Sequence, residues 1–395
     1  MSDRLNVTLI GSKFMGRTHS NAWGQVNRFF DVDPKPVMHR VVARNAEELA
    51  KFASTWGWAN HTTDWQAAVT AEDTDLVDIA TPNDAHRDLA IAALEAGKNV
   101  SCEKPLAATL ADAEAMAAAA ANAPGQTFVW FNYRRVPAVS LAHRIVASGA
   151  LGKIYHARAT YLQSWGGPDT PLLWRFQGDV AGSGAHGDLN AHIIDAVRFV
   201  TGEEITAVEG AIEETFIEER AILEGGAGGE IAGAGAGTAG AMGKSTVDDA
   251  VLFLSRLSGG GIASFEATRL ATGYHNANRF EIHGESGALR FDFERMNELG
   301  FYRTDVAGGE QGWTTIDVTR GGDGHPYADA WWPDSHGLGY EHGFINQARD
   351  IATMVGGGAP LVPIPDFKDA LQTQRVLQAA IESAREHKPV QIPQA

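Results

Sequence analysis
Residues 5–23 read LNVTLIGSKFMGRTHSNAW, and the fold turns on them. A short apolar run ends at Gly11, a turn follows, and apolar residues then recur at helical spacing. Gly11 and Gly16 stand as the first and last glycines of G-x-G-x-x-G, with a strand before and a helix after. A helix that starts in such a turn offers unpaired backbone N–H groups to a pyrophosphate. The middle position holds Lys13, which departs from the close-approach rule for that site and offers a positive charge to the phosphates instead. Taken alone, the motif also admits a plain glycine turn.

Outward from the turn, the same alternation repeats. PVMHRVVARN (36–45), DLVDIATPN (75–83), KNVSCEKP (98–105) and QTFVWFNYRR (126–135) read as strands. AEELAKFASTWG (46–57), DAHRDLAIAALEAG (84–97) and the alanine-rich TLADAEAMAAAAANA (109–123) read as the helices between them. Short apolar strands alternating with helices predict an α/β fold, a doubly wound parallel Rossmann sheet over residues 1–135. The pattern changes over residues 136–395. KIYHARATYLQSW (153–165), AVEGAIEETF (207–216), DDAVLFLSRLSGGGIASFEATRL (248–270) and NRFEIHGESGALRFDFERMNELGFYR (278–303) read as strands joined by tight glycine turns. With the helices GSGAHGDLNAHIIDAVRFVTG (182–202) and DFKDALQTQRVLQAAIESAREHK (366–388), they predict a second α+β domain around a large, open, mostly antiparallel sheet. The Gly/Ala-rich tract at 225–244 cannot bury much side-chain area and reads as a mobile loop.

Bulk properties narrow the function. A chain of 395 residues is too long for one ordinary core. Its formal net charge of -17 argues against nucleic acid or an anionic membrane as partner. Cys102 is the single cysteine, so no internal disulfide forms, and a cytoplasmic location is expected. The N-terminus lacks the pattern of a signal peptide, and no stretch approaches the roughly 18 apolar residues a membrane span needs.

The second strand ends Ala43-Arg44-Asn45, with no acid until Glu47. A carboxylate there would hold the ribose hydroxyls of NAD, whereas Arg44 suits the extra phosphate of NADP, the face of adenine, or plain solvent. The cofactor expectation is therefore NAD or NADP.

TPNDAH (81–86), CEKPLA (102–107) and GDLNAHIIDA (187–196) together resemble the Gfo/Idh/MocA oxidoreductases. NYRRVPAV (132–139), WRF (174–176) and the late HPY and WWP segments are similar to the branch of levoglucosan, inositol and other sugar dehydrogenases. The resemblance implies hydride transfer between a nicotinamide dinucleotide and a sugar, sugar derivative or polyol. It identifies Lys104 of Glu103-Lys104-Pro105 as the catalytic lysine, aimed by a strained lysyl-prolyl bond. Asp188 and His192 match the catalytic acid and histidine. Cofactor contacts are implied at Gly11, Lys13, Phe14, Met15 and Gly16, at Arg44, at Thr81, Pro82, Asn83 and His86, and at Glu103 and Lys104. Substrate contacts are implied at Lys104, Tyr133, Arg134, Trp174 and Arg175, and at Asp188, His192 and His325; Trp332 is a further candidate.

The chemistry suits these residue types. Oxidising an alcohol removes a hydride from carbon and a proton from oxygen. Asp188 and His192, four apart on one helix face, can orient a hydroxyl and take its proton. Lysine beside the same oxygen stabilises the developing alkoxide. The pair also admits a purely structural hydrogen bond, and His186 with Asp188 and His192 a metal set, although no further ligand completes one; no metal is expected. Three functions follow. The first is a sugar or polyol dehydrogenase. The second, a route that the resemblance implies for some members, is an NAD-dependent glycosidase that oxidises, eliminates, adds water and re-reduces, with His186 as the candidate additional acid/base. The third is a non-catalytic nucleotide sensor. The resemblance, together with an open sheet that would leave an apolar face uncovered in a monomer, implies a homo-oligomer, a homodimer or homotetramer.

Overall fold
The computed structural model describes residues 3–223, 241–322 and 325–394. The chain forms two compact units. One runs to Arg135 and takes up Gly339–Leu371; the other comprises Val136–Leu338 and the residues from Gln372 onward.

The first unit is built on six parallel strands: β1 (Arg4–Ile10), β2 (Lys35–Val42), β3 (Asn60–Thr62), β4 (Leu76–Ile79), β5 (Asn99–Cys102) and β6 (Thr127–Val129). Their order is β3-β2-β1-β4-β5-β6. The chain steps outward from β1 to β2 and β3, then crosses back to β4, so the topological switch lies between β1 and β4. Central strands of such a sheet are covered on both faces, which is why Leu76, Val77, Asp78 and Ile79 are all buried. The five strands expected from sequence are present; the sixth, β3, is three residues long and largely exposed. Five helices connect the strands: α1 (Phe14–Phe29), α2 (Ala46–Trp56), α3 (Trp65–Thr70), α4 (His86–Glu95) and α5 (Leu110–Asn122). Three of them, α2, α3 and α5, start on a side-chain cap. Asn45 accepts from the N–H groups of Glu47 and Glu48, Asp64 from Ala67, and Thr109 from Asp112.

The second unit carries α6 (Pro137–Ala147), β7 (Ile154–Leu162), the single turn α7 (Gly178–Ala181), a π-helical turn at His186–Asn190, and α8 (Ala191–Thr201). Strands β8 (Ile205–Glu214), β9 (Glu219–Ala221), β10 (Met242–Lys244), β11 (Ala250–Leu257), β12 (Ile262–Thr268), β13 (Ala277–Gly284), β14 (Gly287–Asp292), β15 (Glu298–Arg303), β16 (Trp313–Asp317) and β17 (Val390–Gln391) follow. Nine of them form one sheet in the order β16-β15-β14-β13-β7-β12-β11-β8-β17. It is antiparallel except where β7 runs parallel to β12. α6 and α8 cover one face. On the other, Leu252 and Leu254 of β11 alternate with buried neighbours, Ile212 lies directly opposite Leu252, and all three are exposed.

Two sequence expectations change here. Of the Gly/Ala tract at 225–244, residues 225–240 lie outside the described residues, and Met242–Lys244 are a strand paired with β9. The sequence pattern places everything beyond residue 135 in the second domain, whereas Gly339–Leu371 packs with the first unit. The cause is α9 (Tyr340–Val355), whose buried face packs on α1, with Gln347 donating to Val129 O and Asn346 to Arg135 O. The last helix, α10 (Phe367–Glu386), starts in the first unit and ends in the second.

Candidate active site
In the first unit, the loops after β1, β2, β4 and β5 gather at the carboxyl edge of the sheet. The Gly11 N–H donates to Val42 O at 2.9 Å, Ala80 N–H to Ile10 O at 2.8 Å, and Glu103 N–H to Ile79 O at 2.9 Å. Gly11 has φ +123°, and a Cβ there would lie 2.3 Å from Ala80 O; a Cβ on Gly16 would lie 2.3 Å from Gly11 O. The turn is thus closed to any larger residue at either position. The N-terminus of α1 carries neither a side-chain cap nor an acidic residue in its first turn. These features fit the pyrophosphate of a dinucleotide. Phe14 opens the helix with its ring stacked on Tyr340 at 6.4 Å. Lys13 does not stand as an uncommitted charge for phosphate. Its Nζ pairs with Glu48 at 2.8 Å, both side chains being more than half exposed. Arg44 is exposed, and Asn45 is committed to capping α2.

The Thr81-Pro82-Asn83 turn and the Glu103-Lys104-Pro105 turn lie side by side, and His86 ties them together. Its Nε2 is 3.1 Å from Thr81 O, and its Nδ1 is 3.2 Å from both Pro105 O and Leu106 O. Burial lowers the pKa of this ring. His86 therefore spans backbone carbonyls of the two loops. The Lys104–Pro105 peptide is cis. Lys104 is part-buried, and its backbone N–H donates to its neighbour Glu103 Oε2 at 3.1 Å.

Glu103 leads into a buried polar cluster that sequence reasoning missed. Glu103 Oε1 meets His19 Nε2 at 2.9 Å, and His19 Nδ1 meets Asp78 Oδ2 at 3.0 Å. Asp78 also accepts from Trp23 Nε1 at 2.7 Å, Ser101 Oγ at 2.7 Å and Trp130 Nε1 at 2.8 Å. Burial alone would lower the pKa of His19, but the charge and hydrogen bond of Asp78, and then those of Glu103, raise it to about 9. Asp78, pushed up by burial, is held below the usual carboxylate range by His19 and its other donors. The one available signal was Asp78 itself, a lone carboxylate in an apolar strand. Tyr133 and Arg134 are buried in this same unit, and Arg134 donates to Asp369 Oδ2.

The second unit holds the other candidates. Asp188 lies in the π-helical turn and accepts from Arg269 Nη2 at 2.8 Å; Arg175 Nε is 4.0 Å away. Arg269 is buried, reaches Arg175 O with its other nitrogen, and lies 5.0 Å from the centre of the Trp165 ring. Arg175 covers Trp174 at 4.4 Å. The sequence supplied Asp188, Trp174 and Arg175 but gave no sign of Arg269. His192 is buried, with its ring tilted against Tyr161 at 5.9 Å. His325 lines a cavity of about 500 Å³ with Thr315, Asp317 and Arg320; Trp332 is about half exposed.

His186 does not match its expected part as an additional acid/base. It is fully buried, its Nε2 donates to Leu377 O at 2.9 Å, and its Nδ1 accepts from Asn190 Nδ2 at 2.9 Å. Burial lowers its pKa, so the ring is neutral and packs edge-on to Phe253.

Comparison with known proteins agrees with this architecture. Residues 5–131 match the oxidoreductase family model with an NAD-binding Rossmann fold, and residues 139–290 match the GFO/IDH/MocA C-terminal domain. Levoglucosan dehydrogenase of Pseudarthrobacter phenanthrenivorans is 40% identical over 393 residues, covering 99% of this chain and 98% of its own. An oxidoreductase domain protein from Kribbella flavida superposes with a TM-score of 0.91 at 46% identity, over 99% of this chain and 100% of that one. A levoglucosan dehydrogenase structure in complex with NADH and levoglucosan gives a TM-score of 0.89 at 39% identity, with the same coverage. With both halves matched and a relative this similar over its full length, the chain belongs to the GFO/IDH/MocA family of NAD-binding oxidoreductases.

Proposed function
We propose that the protein is an NAD(P)-dependent dehydrogenase of a secondary hydroxyl on a cyclic sugar, sugar derivative or polyol. The observation that carries this reading is the Glu103-Lys104-Pro105 turn, set beside a closed glycine turn at the carboxyl edge of a parallel sheet. Levoglucosan heads the candidate substrates because the 40%-identical relative is named for it.

When bound, the dinucleotide supplies the hydride acceptor. Gly11, Gly16 and the first turn of α1 would hold its phosphates. Lys104 Nζ stabilises the alkoxide oxygen as the carbon loses its hydride, and the His192 imidazole takes the hydroxyl proton. Asp188, kept in place by Arg269, accepts a hydroxyl of the substrate and orients it. The exposed row Ile212, Leu252 and Leu254 on the open sheet face favours a homo-oligomer, which light scattering at micromolar concentration tests directly.

The functional test is a panel of levoglucosan, free pyranoses, inositols and aryl glycosides incubated with NAD or NADP. One reduced dinucleotide per substrate oxidised, without release of an aglycone, supports the dehydrogenase. Aglycone release with no net reduction of the dinucleotide would replace it with the glycosidase, whose proposed acid His186 is sealed in the core.

A further inference from the structure
Below the Lys104 turn lies a cluster that the proposed chemistry does not use. His19, Asp78 and Glu103 are buried, and each ring nitrogen of His19 faces a carboxylate oxygen, at 3.0 and 2.9 Å. A neutral imidazole has one N–H, so it would leave a lone pair against one of the two carboxylates. Asp78 takes four donors, among them two indole N–H groups and the Ser101 hydroxyl. That many hydrogen bonds favour its charged form. The His19 ring lies against Trp130, with centroids 4.3 Å apart, and near Phe344, at 5.9 Å; aromatic faces attract cations. The local field is negative: Cys102, beside Glu103 in the chain, has its thiol pushed up by burial and then by Glu103 and Asp78.

We propose that His19 is a positioning residue for catalysis: an imidazolium clamped between Asp78 and Glu103, which fixes the Glu103 carboxylate and, through its bond to the Lys104 N–H, the backbone that aims Lys104. The clamp joins α1, β4 and the turn after β5, three elements brought together only by the fold. Its kinetic consequence rests on the dehydrogenase reading; the protonation state of His19 does not.

Two measurements test it on the full-length protein. In ¹⁵N-histidine-labelled wild type, the clamp predicts that both ring nitrogens of His19 carry protons at pH 7.5, with resonances assigned by their displacement in Glu103→Gln. An unprotonated Nε2 at that pH would place the proton on Glu103 and overturn the proposal, whatever the enzyme's substrate. In kinetics, His19→Gln should lower kcat by up to about 100-fold, the size of an ångström-scale misalignment, while the dinucleotide dissociation constant moves less than about threefold. The double variant His19→Gln with Glu103→Gln should regain most of that kcat. Its second amide can donate to the first and still accept from the Lys104 N–H. A kcat unchanged in the single variant, or a double variant no faster than the single, would overturn the positioning role. Should His19→Gln not fold, the labelled wild type still decides.

Discussion

Raising the pH from 7 to 10 should cost the protein roughly 2–3 kcal/mol through His19 alone. The ring titrates at 6.5 when unfolded and at about 9 in place. Because the folded value is the higher one, its contribution is complete below 6.5 and is lost as the pH climbs through 9. The gap between 6.5 and 9 is worth roughly 3 kcal/mol, at about 1.36 kcal/mol per pH unit. At pH 7 the unfolded ring is already mostly neutral, so roughly 2–3 kcal/mol remains, and at pH 10 almost none does. Urea unfolding read by tryptophan fluorescence suits the site, since Trp23 and Trp130 both donate to Asp78. The stability gap between wild type and His19→Gln should narrow by roughly 2–3 kcal/mol from pH 7 to pH 10. A gap that stays constant across that range would refute the charged state of the ring.

Arg44→Ala should weaken NADP binding more than NAD binding if the guanidinium meets the adenosine phosphate. Equal losses measured by titration calorimetry would leave it a stacking or surface residue. Arg269→Met should lower kcat/KM about 10- to 150-fold by removing a charge-assisted hydrogen bond worth about 1.5–3 kcal/mol from Asp188, with Arg269→Lys intermediate. A value within twofold of wild type would detach Asp188 from the site.

The sequence carried the local half of this account. The β1–turn–α1 unit was legible because Gly11 and Gly16 are dictated by close backbone contacts that no other residue tolerates. Lys104 was legible because a charged residue and a proline at the end of a buried strand break the local pattern. β3 was not, because Asn60-His61-Thr62 has no apolar alternation and is mostly exposed. The return of α9 to the first unit was hidden for a different reason: an amphipathic helix shows that it has a buried face but not what it packs on. Long-range partners were likewise invisible. His19 sits 59 residues from Asp78 and 84 from Glu103, and Arg269 sits 81 from Asp188. His186 shows the converse. A histidine in a glycine-rich turn beside a candidate acid suggests chemistry, and only its full burial against Leu377 and Asn190 returns it to packing.

The central claim is that Lys104 acts in the transition state rather than in cofactor binding, and a single variant tests it most directly. Lys104→Ala, given the substrate that the panel identifies, should keep its fold and its dinucleotide affinity, followed by quenching of tryptophan fluorescence. Single-turnover hydride transfer, followed by reduced-dinucleotide absorbance, should fall by about 100-fold or more. Hydride transfer at a near-wild-type rate in the folded variant would contradict the account, as would a loss of rate matched by an equal loss of dinucleotide binding.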